Sequence, residues 1–224
     1  MNRKLPFYLL VCFIGFSFTA NSLDHDLSFW TSVALKHKFT TRSSVEIAFQ
    51  ERQNRNLLTN DSWLGEAGFE YKFSKDFSAS INYRFIAKNE LKYFSSRHRG
   101  YVDLKYKFKF SKVTVNLRER IQSQIKDVYS SETGRIPEYV SRTKAVFKFD
   151  VGERYTPYVA TEMYFQIRVP NSEGYNINRF RYECGFDYEF NLIHQLNAFF
   201  MYQQNLEETL NDVVFGVGYT YNLQ

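Results

Sequence analysis

Strict alternation of apolar and polar residues, repeated almost to the last residue, constrains this chain more than any other feature. In NRFRYECGFDYEF, residues 178–190, one parity gives Phe180, Tyr182, Cys184, Phe186, Tyr188 and Phe190. The other gives Arg179, Arg181, Glu183, Gly185, Asp187 and Glu189. Side chains of a β-strand alternate between faces, so a period of two means one greasy face and one charged face. Helical spacing fits none of the long runs. Eleven such segments are legible, over 27–39, 44–53, 62–73, 77–88, 96–109, 112–125, 139–150, 156–168, 177–190, 194–204 and 212–223. Their connections alternate between short and long, the layout of a meander of hairpins with tight turns at one end and larger loops at the other.

Before the first strand, Arg3 and Lys4 precede the apolar run LPFYLLVCFIGFSF and the small residues Thr19, Ala20, Asn21 and Ser22. This reads as a secretory signal peptide over 1–22, cleaved after Ser22 or Ala20, with the exported domain over 23–224. The run is short for a spanning helix of roughly 20 residues. Cys12 lies inside it, behind Val11, and does not suit a lipidation site.

Export leaves 27 basic against 24 acidic residues, too even a balance to imply nucleic-acid binding. It also leaves Cys184 as the lone thiol, so no internal disulfide framework is available. Beyond the leader no stretch is apolar enough for a transmembrane helix. A membrane-embedded form must therefore cross with strands.

Size decides which face points inward. A soluble barrel of about eight strands has an interior just wide enough for packed side chains or one small ligand. Here the apolar face carries large residues on most strands, with 23 Phe and 17 Tyr in the chain. So many rings overfill such an interior but have unlimited room against lipid. The expected fold is therefore all-β: a single antiparallel up-and-down transmembrane barrel of ten to twelve strands. Single-chain bacterial barrels have even strand numbers, so the first segment, 27–39, either pairs irregularly or belongs to a set of twelve. Aromatics at strand ends, such as Phe39, Tyr71, Phe73, Phe108, Phe110 and Phe190, suit interfacial girdles.

On this layout Glu66, Glu70, Arg84, Arg99, Asp103, Arg118, Arg120, Arg142, Glu162, Arg179, Arg181, Glu183 and Asp187 line the lumen. Partly neutralised arginines would form an anion-favouring ladder; fully paired ones would plug a narrow barrel. The runner-up role is loop-dependent adhesion or assembly, with the barrel as an anchor. The expected location is the outer membrane of a Gram-negative bacterium. The expected partners are the lipid bilayer, the barrel-assembly machinery and a small solute or ion. Gly216 ahead of Tyr219 and Tyr221 in the last strand resembles the C-terminal signal that such machinery reads.

Enzyme chemistry finds little support. Ser96 and His98 point to the same lipid-facing side, and the carboxylate pairs Glu66/Glu70 and Glu183/Asp187 lie on a face crowded with arginine, where salt bridging is the default. No His or Cys spacing suggests a metal, and no cofactor motif is present.

The order of segments resembles the family named domain of unknown function 2490. The resemblance rests on Trp30, ERQNR at 51–55, YRF at 83–85, RHRGYVDLKY at 97–106, LRERIQ at 117–122, PYVATEMYF at 157–165 and NRFRYECGFDYEF. It covers essentially the whole exported chain. It implies an outer-membrane location and a barrel, and assigns no activity or functional residue.

Overall fold

The computed structural model describes residues 25–90, 92–126, 136–168, 176–207 and 210–223. The leader expected over 1–22 lies outside these residues. Eleven strands form one closed barrel: β1 (His25–Lys38), β2 (Ser43–Asn54), β3 (Thr59–Lys72), β4 (Phe77–Asn89), β5 (Phe94–Phe110), β6 (Val113–Lys126), β7 (Glu138–Phe149), β8 (Tyr155–Arg168), β9 (Asn176–Glu189), β10 (His194–Asn205) and β11 (Asn211–Leu223). Every sequence-adjacent pair is antiparallel, as short hairpin turns require.

Closure departs from a purely antiparallel ladder. In a meander with an odd number of strands, the first and last run in the same direction. β1 and β11 accordingly pair in parallel, in unbroken register from His25↔Asn211 to His37↔Leu223. The first segment is thus accommodated by an irregular pair, and the described residues close the barrel with eleven strands. β1 begins at the long-loop end and β11 finishes at the short-turn end. Asp26 fixes that start: its carboxylate accepts from the backbone N–H groups of Arg55 (3.0 Å) and Asn56 (2.9 Å). Arg55, Asn56 and Leu57 all have positive φ, so the turn presents successive amides to one anion.

The barrel is inside-out relative to a soluble protein. Val33, Ile47, Phe49, Ile81, Val102, Leu117, Ile121, Tyr182 and Phe215 are exposed on the outer wall. Asp103, Arg120, Arg142 and Glu162 are buried within, each less than a tenth exposed. Such an arrangement is stable when the outer surface meets lipid and the closed ladder satisfies every backbone group. Near the short turns, rings pack along the outer rim: Tyr71 on Phe73 (5.1 Å between centroids), Phe73 on Phe77 (5.5 Å), Phe108 on Phe110 (6.4 Å) and Tyr188 on Phe190 (4.9 Å). Trp63 stacks on Phe94 at 5.6 Å near the opposite rim.

Candidate functional site

The inward faces meet in a layer across the middle of the lumen, built from guanidinium groups stacked on rings. Arg52 of β2 lies 3.9 Å from the Trp30 ring of β1, and Arg181 of β9 approaches the same ring at 5.5 Å. β10 and β11 separate β9 from β1, so this contact passes over two strands rather than joining one hydrogen-bonded pair. Tyr164 of β8 takes Arg142 at 4.4 Å, Arg181 at 4.8 Å and Arg179 at 5.4 Å. Tyr101 of β5 takes Arg120 at 3.7 Å and Arg84 at 5.9 Å. Arginine stacks well on aromatic faces because its charge is planar and weakly hydrated.

Apolar side chains fill the gaps. Leu64, Met201 and Val214 are at most 2% exposed, although all three point inward. Phe199 of β10 meets Trp30 edge-on at 6.5 Å. Its ring occupies the space where a methyl group on Gly216 of β11 would fall, so only glycine fits opposite it.

Carboxylates hold part of the layer. Asp103 receives Arg120 in a two-pronged contact at 2.6 and 2.8 Å. Glu162 is the hub: it accepts from Arg142 at 2.8, 3.0 and 3.1 Å, pairs with Arg118, and lies 3.7 Å from Arg181. Glu66 pairs with Arg84. The other arginines rest mainly on amides. Arg52 donates to Gln50 (2.8 Å), Arg99 to Gln124 (2.6 Å), Arg179 to Asn205 (2.9 Å) and Arg181 to Gln203 (2.8 Å). The lumen therefore combines arginines paired with carboxylates and, among the described residues, three (Arg52, Arg99 and Arg179) hydrogen-bonded to neutral oxygens.

Toward the short turns the lining changes. Here Lys105 pairs with Glu70 (2.6 Å), Lys144 with Glu183 (2.8 Å) and Lys148 with Asp187 (2.7 Å). Tyr158 donates to Glu183 at 2.8 Å. A cavity of about 410 Å³ opens among Lys36, Lys38, Arg42, Glu46, Glu70 and Lys72. Another, of about 300 Å³, reaches Gln50, Leu64, Glu66 and Arg84 on the underside of the layer.

All thirteen lumen positions read from alternation fall on the inner face, and each has at least one contact described above. Sequence reasoning missed the aromatic half of the layer: Trp30, Tyr101, Tyr164 and Phe199, together with Arg52. The available signal was an aromatic residue standing on the charged parity of its strand. His98 points outward, with its Nδ1 2.6 Å from the Tyr83 hydroxyl. Ser95, whose side chain is buried, has the inward parity, whereas Ser96 shares that of His98. Among the described residues, no three His, Cys, Asp or Glu side chains cluster as metal ligands.

A family model described as "Protein of unknown function (DUF2490)" matches residues 27–214. No curated protein matches the chain in sequence. Among solved structures, the NanC porin superposes with a TM-score of 0.51 at 11% identity, covering 83% of this chain and 93% of that one. LpxR from Salmonella typhimurium gives 0.49 at 8% identity, covering 81% and 83%. The β domain of the Bordetella autotransporter BrkA gives 0.49 at 10%, covering 81% and 82%. At such identities the NanC likeness establishes a shared barrel fold and nothing finer.

Proposed function

Taking as premise that this chain belongs to the DUF2490 family of proteins of unknown function, we propose that it is an outer-membrane barrel held shut across its middle. The host is a Gram-negative bacterium, the surroundings are lipid, and the barrel-assembly machinery inserts the chain. One observation carries this reading: in the stack of Arg52, Trp30, Arg181, Tyr164 and Arg142, which runs from β2 to β7, the step from Arg181 to Trp30 leaves the wall and passes over β10 and β11. A guanidinium sandwiched on a ring and held by a carboxylate or amide has little freedom to swing aside. The product is a structural barrel with a polar chamber open toward the short turns.

Planar-bilayer recording tests it. The purified barrel should give no resolved steps at moderate voltage, and Trp30→Ala should introduce them. Large steps in the unaltered protein would sink the plug. A narrow anion path is the second reading, favoured by Arg52, Arg99 and Arg179, which rest on amides. It requires anion-selective steps that weaken with Arg99→Ala and Arg181→Ala. Neither reading includes catalysis, so lipid or lipopolysaccharide turnover should be absent from the protein and from His98→Ala alike.

A further inference from the structure

We propose that the outer wall of β5–β8 is the contact face of a dimer of this chain within the membrane. The starting observation is Glu119. It lies halfway along β6 on the outward parity, opposite Leu104 of β5 and Thr143 of β7. Among the described outward-facing strand residues, Glu51 lies near the long-loop end of β2 and accepts from Asn60 (2.7 Å), whereas Glu119 stands at mid-height. A carboxylate at mid-height of a lipid-facing wall is costly, and lipid tails offer it no partner. Its own wall supplies two donors, Ser141 Oγ and Thr143 Oγ1, the latter at 2.6 Å.

The surrounding wall differs from the rest of the barrel in the same place. Elsewhere the outer positions are mostly Phe, Tyr, Leu, Ile and Val. Here Gly100, Ser123, Ser141, Thr143, Ala145 and Thr161 stand together on four neighbouring strands. A groove of about 740 Å³ opens on the outer wall over β3–β6, between Ala67, Tyr83, Gly100, Ile121, Ser123 and Tyr139, and meets the proposed face at Gly100, Ile121 and Ser123. At its floor a methyl group built on Gly100 would meet no atom within 4 Å, so the wall is hollow there. Small residues and hydroxyls are what membrane interfaces use to bring backbones close and to hydrogen-bond across.

The occupant follows from the patch's own chemistry. In Glu119 it carries an acceptor with lone pairs beyond those taken by Ser141 and Thr143, and the further hydroxyl donors are Ser123 and Thr161. A surface holding both halves of a hydrogen-bonding set is self-complementary, which is what a two-fold interface requires of a single patch. The area is also sufficient. Four strands about 4.8 Å apart over a band about 25 Å tall offer roughly 500 Å² per copy, so a pair reaches about 1,000 Å², the threshold for a specific interface.

The test uses the full chain in outer membranes, in a Cys184→Ser background. Ala145→Cys is placed at the proposed face and Ala198→Cys on the outer wall of β10, each treated with a short bismaleimide. The expected result is a covalent dimer from Ala145→Cys and none from Ala198→Cys. In detergent, Glu119→Leu should raise the dimer dissociation constant at least tenfold while the barrel keeps its heat-modifiable mobility. A monomer in the membrane, equal cross-linking at both positions, or a monomer that retains phospholipid in the groove would overturn the dimer. Recovery in the soluble fraction would overturn the membrane placement as well, which separates the two failures.

Discussion

Two levels of one lumen use the two basic residues differently. The closed level is built from Arg52, Arg84, Arg99, Arg120, Arg142 and Arg181. The open level toward the short turns carries Lys36, Lys38, Lys72, Lys105, Lys144 and Lys148. Both levels contain carboxylates on neighbouring strands, so charge alone does not explain why one is shut. Guanidinium is planar and weakly hydrated, stacks on Trp30, Tyr101 and Tyr164, and grips Asp103 and Glu162 with two nitrogens at once. Ammonium is compact and strongly hydrated, and leaves room for water. The contrast shows in the geometry: Arg120 meets Asp103 through two nitrogens, at 2.6 and 2.8 Å, whereas Lys105 meets Glu70 and Lys148 meets Asp187 through one, at 2.6 and 2.7 Å.

Several substitutions should break this contrast. The largest effect is expected from Glu162→Ala, which leaves Arg142 and Arg118 without their carboxylate. Losing one side of a buried charge cluster costs about 3–5 kcal/mol, to be read from urea unfolding in lipid vesicles. An unchanged midpoint would mean that water already reaches the hub. Next comes Asp103→Asn, which keeps the shape but removes the charge facing Arg120. A loss of roughly 2–3 kcal/mol is expected in the same assay, consistent with a hydrogen bond to a charged group. Arg142→Lys sharpens the comparison further, because charge is kept while stacking and the forked contact are lost. About 1–2 kcal/mol should disappear, and conductance steps should appear if the guanidinium shape is what closes the lumen. Lys36→Ala, which removes the 3.7 Å pair with Glu46, should cost less than about 1 kcal/mol, as an accessible pair does, and its effect should fade in high salt.

The strands were legible because burial on one face imposes a period of two, and a slip of one residue would turn each wall position over. That is why the expected segments 96–109 and 139–150 agree to within two residues with β5 (Phe94–Phe110) and β7 (Glu138–Phe149). The family resemblance, carried by motifs such as RHRGYVDLKY, holds over residues 27–214. The closing pair was not legible. Alternation reports which face a residue occupies but not the direction of its neighbour, so 27–39 left two solutions open. Inside the lumen, parity placed Arg181 and Glu162 on one face without naming their partners. Those depend on stagger between strands: Arg118 on β6 reaches Glu162 on β8 across β7. The stacking of Arg181 on Trp30 depends on lumen width, which no local pattern encodes.

The parallel seam between β1 and β11 also bears on the order of events in time. Each antiparallel pair joins segments close in sequence and can zip up soon after its turn forms. The seam joins His25 to Asn211, nearly the full described length apart. Loop closure over such a span is entropically costly, and a parallel pair gains slightly less per residue than an antiparallel one. The wall must therefore exist as an open, curling sheet until its last strand arrives, and β1 waits as an exposed edge for most of that time. When the finished barrel breathes, this seam is where it should part first.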